Sequence, residues 1–167
     1  MRLAVGFSLL LAACAAAPTR APVALTAPSV APGAWDRLTH ALLGTWTMAT
    51  KSGAPFIVSY KLISNGSALV EDWGVGSSHE TESVFHPDHV DIVLTHYCAQ
   101  GNQPRLRAVR ATGDTFVFRV VDVTNRASDQ AMLVERTLRF SPGAFEDTEV
   151  YRQPDGKDEV TTYRFVQ

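Results

Sequence analysis

One stretch decides the fold class of this chain: Phe56-Ile-Val-Ser-Tyr-Lys-Leu-Ile-Ser-Asn-Gly-Ser-Ala-Leu-Val-Glu-Asp-Trp-Gly-Val75. Asn65-Gly66 near its middle is a strong signal for a tight hairpin turn. Before the turn, apolar residues recur at every second position, the period of a strand with one buried face. They are Phe56, Val58, Tyr60 and Leu62. The stretch therefore predicts an antiparallel β-hairpin.

The same period of two continues through the rest of the chain, where apolar runs are bounded by turn residues. No segment with helical periodicity separates the runs, which excludes parallel crossovers and indicates a meander. A meander this long tends to close on itself, because closure removes exposed sheet edges. We expect an all-β, antiparallel up-and-down barrel of about ten strands. The predicted strands are Thr45–Thr50, Phe56–Ile63, Ala68–Val75, Glu80–His86, Val90–Tyr97, Arg105–Thr112, Thr115–Val121, Ala131–Phe140, Phe145–Tyr151 and Val160–Val166.

A short helix is expected just before the first of these strands. Trp35, Leu38 and Leu42 lie at helical spacing, and Gly44 follows as a residue that commonly ends a helix.

The segment Leu43-Gly44-Thr45-Trp46, placed after a short helix and before a meander, resembles the start of calycin barrels, the group that includes lipocalins and fatty-acid-binding proteins. The resemblance implies that Gly44 and Trp46 close the base of the barrel. It also implies that an arginine from a late strand stacks on the tryptophan, with Arg164 as the first candidate and Arg136 as the second.

A second block is similar to an uncharacterised lipocalin-like domain of bacterial secreted proteins. It consists of Leu94-Thr95-His96-Tyr97-Cys98 with Gly101-Asn102-Gln103-Pro104-Arg105, and of Ser67-Ala68-Leu69-Val70-Glu71 after the hairpin turn. The resemblance covers residues 38–167 and implies a fold without an activity, because a fold does not carry a function by itself.

The first residues are typical of an export signal. Met1-Arg2 precedes a short apolar run, Leu3–Leu11, which is far below the about 20 residues that cross a bilayer. The end of this segment, Leu11-Ala12-Ala13-Cys14, resembles a bacterial lipobox. The resemblance implies that residues 1–13 are a signal peptide and that Cys14 carries acyl chains such as palmitate. The alternative is an ordinary secretory signal cut after Ala13 or Ala15, which would release the protein into the periplasm.

Residues 14–34, rich in alanine and proline, are expected to be a tether, because they offer little large apolar surface to bury. Residues 35–167 then form the domain. Ala15 rather than an aspartate follows the lipobox, which by the lipoprotein sorting rule predicts a lipid anchor in the outer membrane, facing the periplasm. Of the two cysteines, Cys14 is thus the anchor and Cys98 an unpaired, buried thiol.

Charge and composition exclude several classes of partner. The chain has 15 Lys and Arg residues against 17 Asp and Glu residues, for a net charge of −2. This balance excludes the basic surface that nucleic-acid binding needs, and also a polybasic membrane patch. We expect a monomer without a metal or another cofactor. Haem is bound in one calycin relative through a late-strand histidine, and here no histidine follows His96.

His96 is the most interesting candidate site residue. Alternation places it on the same face as Ile92 and Leu94, so it should point into the barrel. An inward histidine could bind a ligand head group, act as a base or ligate a metal. The simpler interpretation is a buried histidine that is hydrogen-bonded to a neighbour.

Glu71 and Arg136 are also predicted to point inward, since both share a face with apolar neighbours. A buried glutamate needs a partner or a raised pKa. We expect either a Glu71–Arg136 ion pair or a pairing of Glu71 with His96. The alternative is a polar cluster that fixes the polar end of an apolar ligand.

Two further groups of residues are weaker candidates. Tyr97, Asn102 and Gln103 lie at a strand end and loop, where they either satisfy loop backbone groups or line the barrel mouth. His86 and His89, with His79, Glu80 or Glu82 nearby, could bind zinc, although a polar surface hairpin fits the intervening Pro87 better.

Three functions remain open. The first is an anchored barrel that binds a small apolar or amphipathic ligand in a cavity lined by Phe116, Phe118, Met132 and His96. The second is a structural or interaction lipoprotein whose barrel is filled by its own side chains. The third is an enzyme that uses Glu71 and His96, which requires the two within hydrogen-bond reach of each other or of one ligand atom.

Overall fold

A computed structural model of the protein describes residues 29–50 and 53–167. Within these ranges the chain forms one α-helix and eleven β-strands, with a 3₁₀ turn at Ser64–Gly66. The helix α1 covers Ala34–Leu42 and follows the short strand β1, Ser29–Val30. The other strands are β2 (Gly44–Ala49), β3 (Pro55–Ile63), β4 (Ala68–Trp73), β5 (Thr81–Asp88), β6 (Asp91–Tyr97), β7 (Gln103–Thr112), β8 (Thr115–Thr124), β9 (Met132–Ser141), β10 (Ala144–Arg152) and β11 (Asp158–Val166).

Strands β2 to β11 form a closed antiparallel barrel in which each strand pairs with the next along the chain. The barrel closes where β11 meets β2, at the residue pair Val166 and Thr47. The Thr47 hydroxyl strengthens this closure by donating to the Val166 carbonyl oxygen at 3.3 Å. The predicted ten-strand, up-and-down barrel with one short helix is therefore confirmed.

Each predicted strand differs from the observed one by one to three residues at one end or both, and the differences at β1 and β6 are the most informative. Strand β1 lies inside the segment expected to be a tether. It pairs in parallel with Arg110 and Ala111 of β7. A strand of two residues is too short to produce a period in the sequence. Strand β6 begins at Asp91 rather than at Val90, which is 79% exposed in the turn that follows β5.

The helix closes one end of the barrel, called the helix end below. Leu38 and Leu42 lie on the buried face of α1, and Trp46 enters the core directly after it. The Trp46 indole Nε1 donates a hydrogen bond of 2.7 Å to the Leu42 carbonyl oxygen, which has no partner within the helix. Gly44 links the two elements with a φ of 111°, which a side chain would disfavour. Gly44 and Trp46 thus connect the helix to the barrel base.

Aromatic rings fill the helix end. The Phe145 ring lies 4.9 Å from both the Trp46 ring and the stacked Phe165 ring, measured between centroids. The Phe116 and Phe140 rings are 5.8 Å apart, and Phe116 is almost completely buried. Rings packed at these distances contact each other directly, so this half of the interior is occupied by side chains.

The expected arginine stack on Trp46 is wrong. Arg164 lies on the outer face of β11, where its side chain is 62% exposed and pairs with Glu146 at 3.5 Å. Alternation along the strand places Phe165 inside in its stead. The cation–π contact at this end comes from Arg37 of α1, whose guanidinium carbon is 6.0 Å from the centre of the Phe116 ring.

The five loops that follow β2, β4, β6, β8 and β10 lie at the opposite end, called the loop end below. In the ranges that the structure describes, no helix has the length and apolar character needed to cross a bilayer.

Candidate functional site

Four inward-pointing residues form a row across the wall of the barrel. Tyr60, Glu71, Ser83 and His96 are successive partners in the registers of β3 with β4, β4 with β5, and β5 with β6. All four are at most 3% exposed. Because side chains alternate across a strand, one shared register places all four on the inner face. The predicted inward orientation of Glu71 and His96 is therefore confirmed.

Arg136 of β9 reaches this row from the other side of the barrel and is completely buried. Its Nη1 donates to Glu71 Oε1 at 3.0 Å, and its Nη2 donates to Glu71 Oε2 at 2.6 Å. The Tyr60 hydroxyl donates to the same Oε2 atom, also at 2.6 Å. Of the two pairings expected for Glu71, the structure contains the one with Arg136, in the two-bond geometry that the guanidinium plane favours.

A second carboxylate binds the same guanidinium. Asp147 of β10 is fully buried and accepts from Arg136 Nε at 3.1 Å and from Nη2 at 2.5 Å. Below the guanidinium lies the Phe85 ring, with its centre 5.8 Å from the guanidinium carbon. Arg136 is thus held in its plane by two carboxylates and across its face by an aromatic ring.

Glu149 is the third carboxylate, and it has no such partner. It lies directly across from Arg136 in the register of β9 with β10 and is 8% exposed. Its Oε1 is 3.8 Å from Arg136 Nε, too far for a hydrogen bond. Within the described part of the chain, no hydrogen bond to the Glu149 carboxyl group is formed. Tyr60, Glu71, Arg136, Asp147 and Glu149 are called the central cluster below.

The environment gives the three carboxyl groups different proton affinities. Burial opposes the ionisation of Glu71, but the charge and hydrogen bonds of Arg136 outweigh it and lower the pKa of Glu71. For Asp147, burial outweighs Arg136 and raises the pKa. For Glu149, burial and the neighbouring Asp147 raise the pKa to about 8. Glu149 is therefore the member of the cluster that gains or loses a proton near neutral pH.

His96 has partners on both ring nitrogens. Its Nδ1 lies 3.0 Å from the Ser83 hydroxyl, and its Nε2 lies 3.1 Å from the Tyr151 hydroxyl. Burial, with a smaller effect from Arg136, lowers the pKa of His96 to about 4, so the ring is neutral at pH 7. This geometry is that of the simpler interpretation, a buried histidine with satisfied nitrogens.

The Glu71–His96 pair required by the enzyme hypothesis is not directly bonded. Ser83 lies between the two residues in the strand register. Both Glu71 carboxylate oxygens already accept from Arg136, which makes Glu71 a weak base. The two side chains are linked through Ser83, whose hydroxyl lies 3.0 Å from His96 Nδ1 and also lowers the pKa of Glu71 by a hydrogen bond, after the larger effect of Arg136.

Half-buried aromatic side chains lie between the central cluster and the loop end. The Trp73 ring is 5.3 Å from the Phe56 ring and 5.3 Å from the Tyr163 ring. Tyr151 and Tyr163 are both near enough to Glu149 for its negative charge to raise their pKa, in addition to the effect of burial. Glu149 therefore faces the aromatic groups of the loop end rather than the filled helix end.

The three loop candidates do not form a binding surface inside the barrel. Tyr97 is 48% exposed and lies on the outer face, because it follows the inward His96 on β6. Gln103 donates to the Gly101 carbonyl oxygen at 2.8 Å and accepts from the Thr124 hydroxyl. Gln103 thus satisfies a loop backbone group, the first of its two alternatives, and Tyr97 lies outside the barrel.

Asn102 fastens two loops of the loop end together. It is fully buried, and its Nδ2 donates to the Gln130 side chain at 3.3 Å and to the Ala131 carbonyl oxygen at 3.0 Å. Gln130 in turn donates to the Gln100 carbonyl oxygen. The Asn102 Oδ1 atom is buried and without a hydrogen-bond partner. Asn102 thus joins the β6–β7 loop to the β8–β9 loop.

The residues that the sequence predicts as the lining of a cavity do not come together around one. Phe116 and Phe118 are buried against other rings, the latter 5.7 Å from Phe85. Met132 pairs with the exposed Arg152, while Leu133 pairs with Tyr151 and is completely buried. A β-bulge in β9 causes this shift: Val134 is an extra residue opposite Val150 and Tyr151, and it changes which residues of β9 point inward.

The remaining candidates are surface or inert groups. His86 and His89 are exposed, and the described ranges contain no group of three or more His, Cys, Asp or Glu side chains arranged to hold a metal ion. Cys98 is a half-buried free thiol whose pKa is raised by burial, which makes it a poor nucleophile.

Sequence reasoning missed Tyr60, Ser83, Asp147, Glu149 and Tyr151. The signal in β10 for its inner face is an alternation of Phe145, Asp147, Glu149 and Tyr151. In this alternation two aromatic residues flank two acids. The opposite face of β10, with Glu146 and Val150, is equally mixed, so the alternation alone leaves the inner face undecided.

Comparison with known proteins identifies a solved structure with a similar fold. No protein-family profile matches the chain, and no curated protein matches it. Among solved structures, the crystal structure of Rv2717c from M. tuberculosis is similar, with a TM-score of 0.56 and 15% sequence identity. The match covers 83% of this chain and 98% of Rv2717c. At this identity the likeness shows that the two proteins share a β-barrel fold, one compatible with ligand binding.

Proposed function

We propose that this chain is an envelope lipoprotein that binds a small amphipathic ligand in the loop-end half of its barrel. The observation that carries the proposal is Glu149, a buried carboxyl group without a hydrogen bond inside the described structure. The Glu149 side chain is still 10% exposed, so its carboxyl group can be reached by water or by a ligand. A ligand head group that bonds to Glu149 would supply the hydrogen bond that it lacks among the described residues.

The aromatic groups next to Glu149 support the apolar part of the proposal. The ligand's body would lie against the half-buried Trp73 ring, which contacts the half-buried Phe56 and Tyr163 rings. At the helix end, Trp46, Phe145 and Phe165 are buried, so their rings are not accessible to a ligand. The arrangement of an apolar wall with a few converging polar groups is typical of small-molecule sites.

Native mass spectrometry of the secreted chain carrying Cys14→Ser tests this proposal. We expect a copurifying mass of a few hundred daltons or, after its removal, a thermal shift with a lipid or metabolite. The loss of the copurifying mass in Trp73→Ala, but not in Trp35→Ala at the helix end, would place the ligand. An empty spectrum without any thermal shift would refute ligand binding and leave the structural lipoprotein as the function.

The lipid anchor is proposed on the lipobox resemblance alone, since Cys14 lies outside the described residues. Metabolic labelling with palmitate should mark the wild-type chain and place it in the outer-membrane fraction. Cys14→Ser should carry no label and appear in the soluble periplasmic fraction. Cys98→Ser is the matched control and should keep both the label and the membrane location. An unlabelled, soluble wild-type chain would instead show an ordinary secretory signal.

A further inference from the structure

The central cluster contains more acidic groups than basic ones, and the two carboxylates that bind Arg136 already exceed its single positive charge. It holds one guanidinium group and three carboxyl groups, all from residues that are at most 8% exposed. His96 does not correct the imbalance, since its ring is neutral at pH 7. Unlike charges on the surface, such buried charges are poorly screened by salt. The excess therefore acts on whatever enters the loop-end half of the barrel.

Arg136 lies within ion-pair distance of Glu149, with its Nε 3.8 Å from Oε1, but gives it no hydrogen bond. Its Nε, Nη1 and Nη2 atoms already donate to Glu71 or Asp147. Tilting the guanidinium toward Glu149 would break these bonds and separate it from the Phe85 ring. Glu149 is thus the one carboxyl group of the central cluster that is available to a ligand.

From these contacts we propose that the ligand has a cationic head group, an alkylammonium, which pairs with Glu149. This inference rests on the proposed ligand binding and names the ligand's chemical class. Tyr151 lies two residues beyond Glu149 toward the loop end of β10, and Tyr163 pairs with Asp147 in the register of β10 with β11. Two aromatic rings therefore flank the site, and they favour the same sign of charge because aromatic faces attract cations. A fatty-acid carboxylate would instead be repelled by the carboxylates of Glu71 and Asp147.

Binding of the cation is coupled to a proton. At pH 7 the Glu149 carboxyl group holds a proton, because burial and Asp147 raise its pKa to about 8. An ammonium ion that pairs with the carboxylate releases this proton to solvent, so the charge of the cluster with its ligand is conserved. Affinity should therefore rise between pH 6.5 and pH 8. The groups that surround Glu149 and influence its titration are Glu71, Asp147, Arg136, Tyr151, Tyr163 and Cys98.

Three probes with one chain length and different head groups test the inference. They are octylammonium, octanol and octanoate, titrated below their micellar concentrations into the secreted Cys14→Ser chain. Calorimetry at pH 7 should show octylammonium binding at least tenfold more tightly than octanoate. Repeating the titration in buffers of different ionisation enthalpy should show the release of close to one proton.

Glu149→Gln should reduce the affinity for octylammonium at least tenfold and leave that for octanol unchanged. Glu146→Gln is the matched control, since Glu146 lies on the same strand and faces outward. Proton release is measured on the chain that keeps Glu149. This test therefore remains valid even if the Glu149→Gln variant fails to fold.

Octanoate binding as tightly as octylammonium, or octylammonium binding without proton release, would overturn the cationic head group and leave ligand binding intact. If none of the three probes binds and no mass copurifies, the proposed function fails too.

Discussion

Replacing Arg136 with methionine is expected to lower the free energy of unfolding by about 3–5 kcal/mol. The substitution keeps most of the side chain's apolar volume and removes the only cation of the central cluster. Glu71 and Asp147 then stay buried without the guanidinium that each contacts through two hydrogen bonds or more. Urea denaturation at pH 7, with midpoint and slope both reported, measures the loss.

Arg164→Met is the matched control, because Arg164 is exposed and its pairing with Glu146 is on the surface. Exposed ion pairs contribute roughly 0–1 kcal/mol, so this variant should remain close to the wild type. A triple variant in which Glu71→Gln and Asp147→Asn accompany Arg136→Met should regain part of the loss, since no buried charge is stranded. A loss below about 1 kcal/mol in Arg136→Met would contradict the buried ion network described above.

The second large effect is the dependence of stability on pH, in which His96 and Glu149 act in opposite directions. The pKa of His96 falls from 6.5 to about 4 on folding, so its contribution to stability is complete above pH 6.5 and is lost as pH falls toward 4. The pKa of Glu149 rises from 4.5 to about 8, so its contribution is complete below pH 4.5 and is lost as pH rises toward 8.

The two effects nearly cancel between pH 4.5 and 6.5, where the contribution of this pair should be flat. Above pH 6.5 only Glu149 remains active, and because a tenfold change in proton affinity corresponds to about 1.4 kcal/mol, its contribution should fall by about 2 kcal/mol by pH 8.

Variants separate the two contributions. Glu149→Gln should abolish the loss above pH 6.5 and reveal a rise of about 3 kcal/mol between pH 4 and pH 6.5 from His96. His96→Asn should still show the fall in stability above pH 6.5 that the ionisation of Glu149 causes. His89→Asn is the control, because His89 is exposed and its side chain is 94% accessible. Superimposable pH profiles for the wild type and Glu149→Gln would mean that Glu149 ionises freely in the folded protein.

Much of the fold could be predicted because hairpin turns and alternation are local signals. Asn65-Gly66 joins two strands as expected, and Glu71, His96 and Arg136 point inward as their apolar neighbours indicated. Strand order then follows from chain order in a meander, without any long-range information.

The composition of the central cluster could not be predicted in the same way. The Glu71–Arg136 pair was expected because both residues share a face with apolar neighbours, but nothing in the sequence indicates that Asp147 binds the same guanidinium. The bulge in β9 moved Leu133 inward in place of Met132, which a strict period of two cannot show. On the last strand, the calycin resemblance favoured Arg164, whereas the register of β11 determines that Phe165 is inside.

The row of Tyr60, Glu71, Ser83 and His96 has a consequence for how the barrel assembles. Each of these strands could slide by two residues against its neighbour and still present apolar side chains to the interior. Such a slip would leave a tyrosine hydroxyl, a carboxylate or an imidazole buried opposite a hydrocarbon side chain, at a cost of several kcal/mol. The four polar residues therefore favour one register of β3 to β6 during folding. They disfavour the slipped registers, in which they would face apolar side chains.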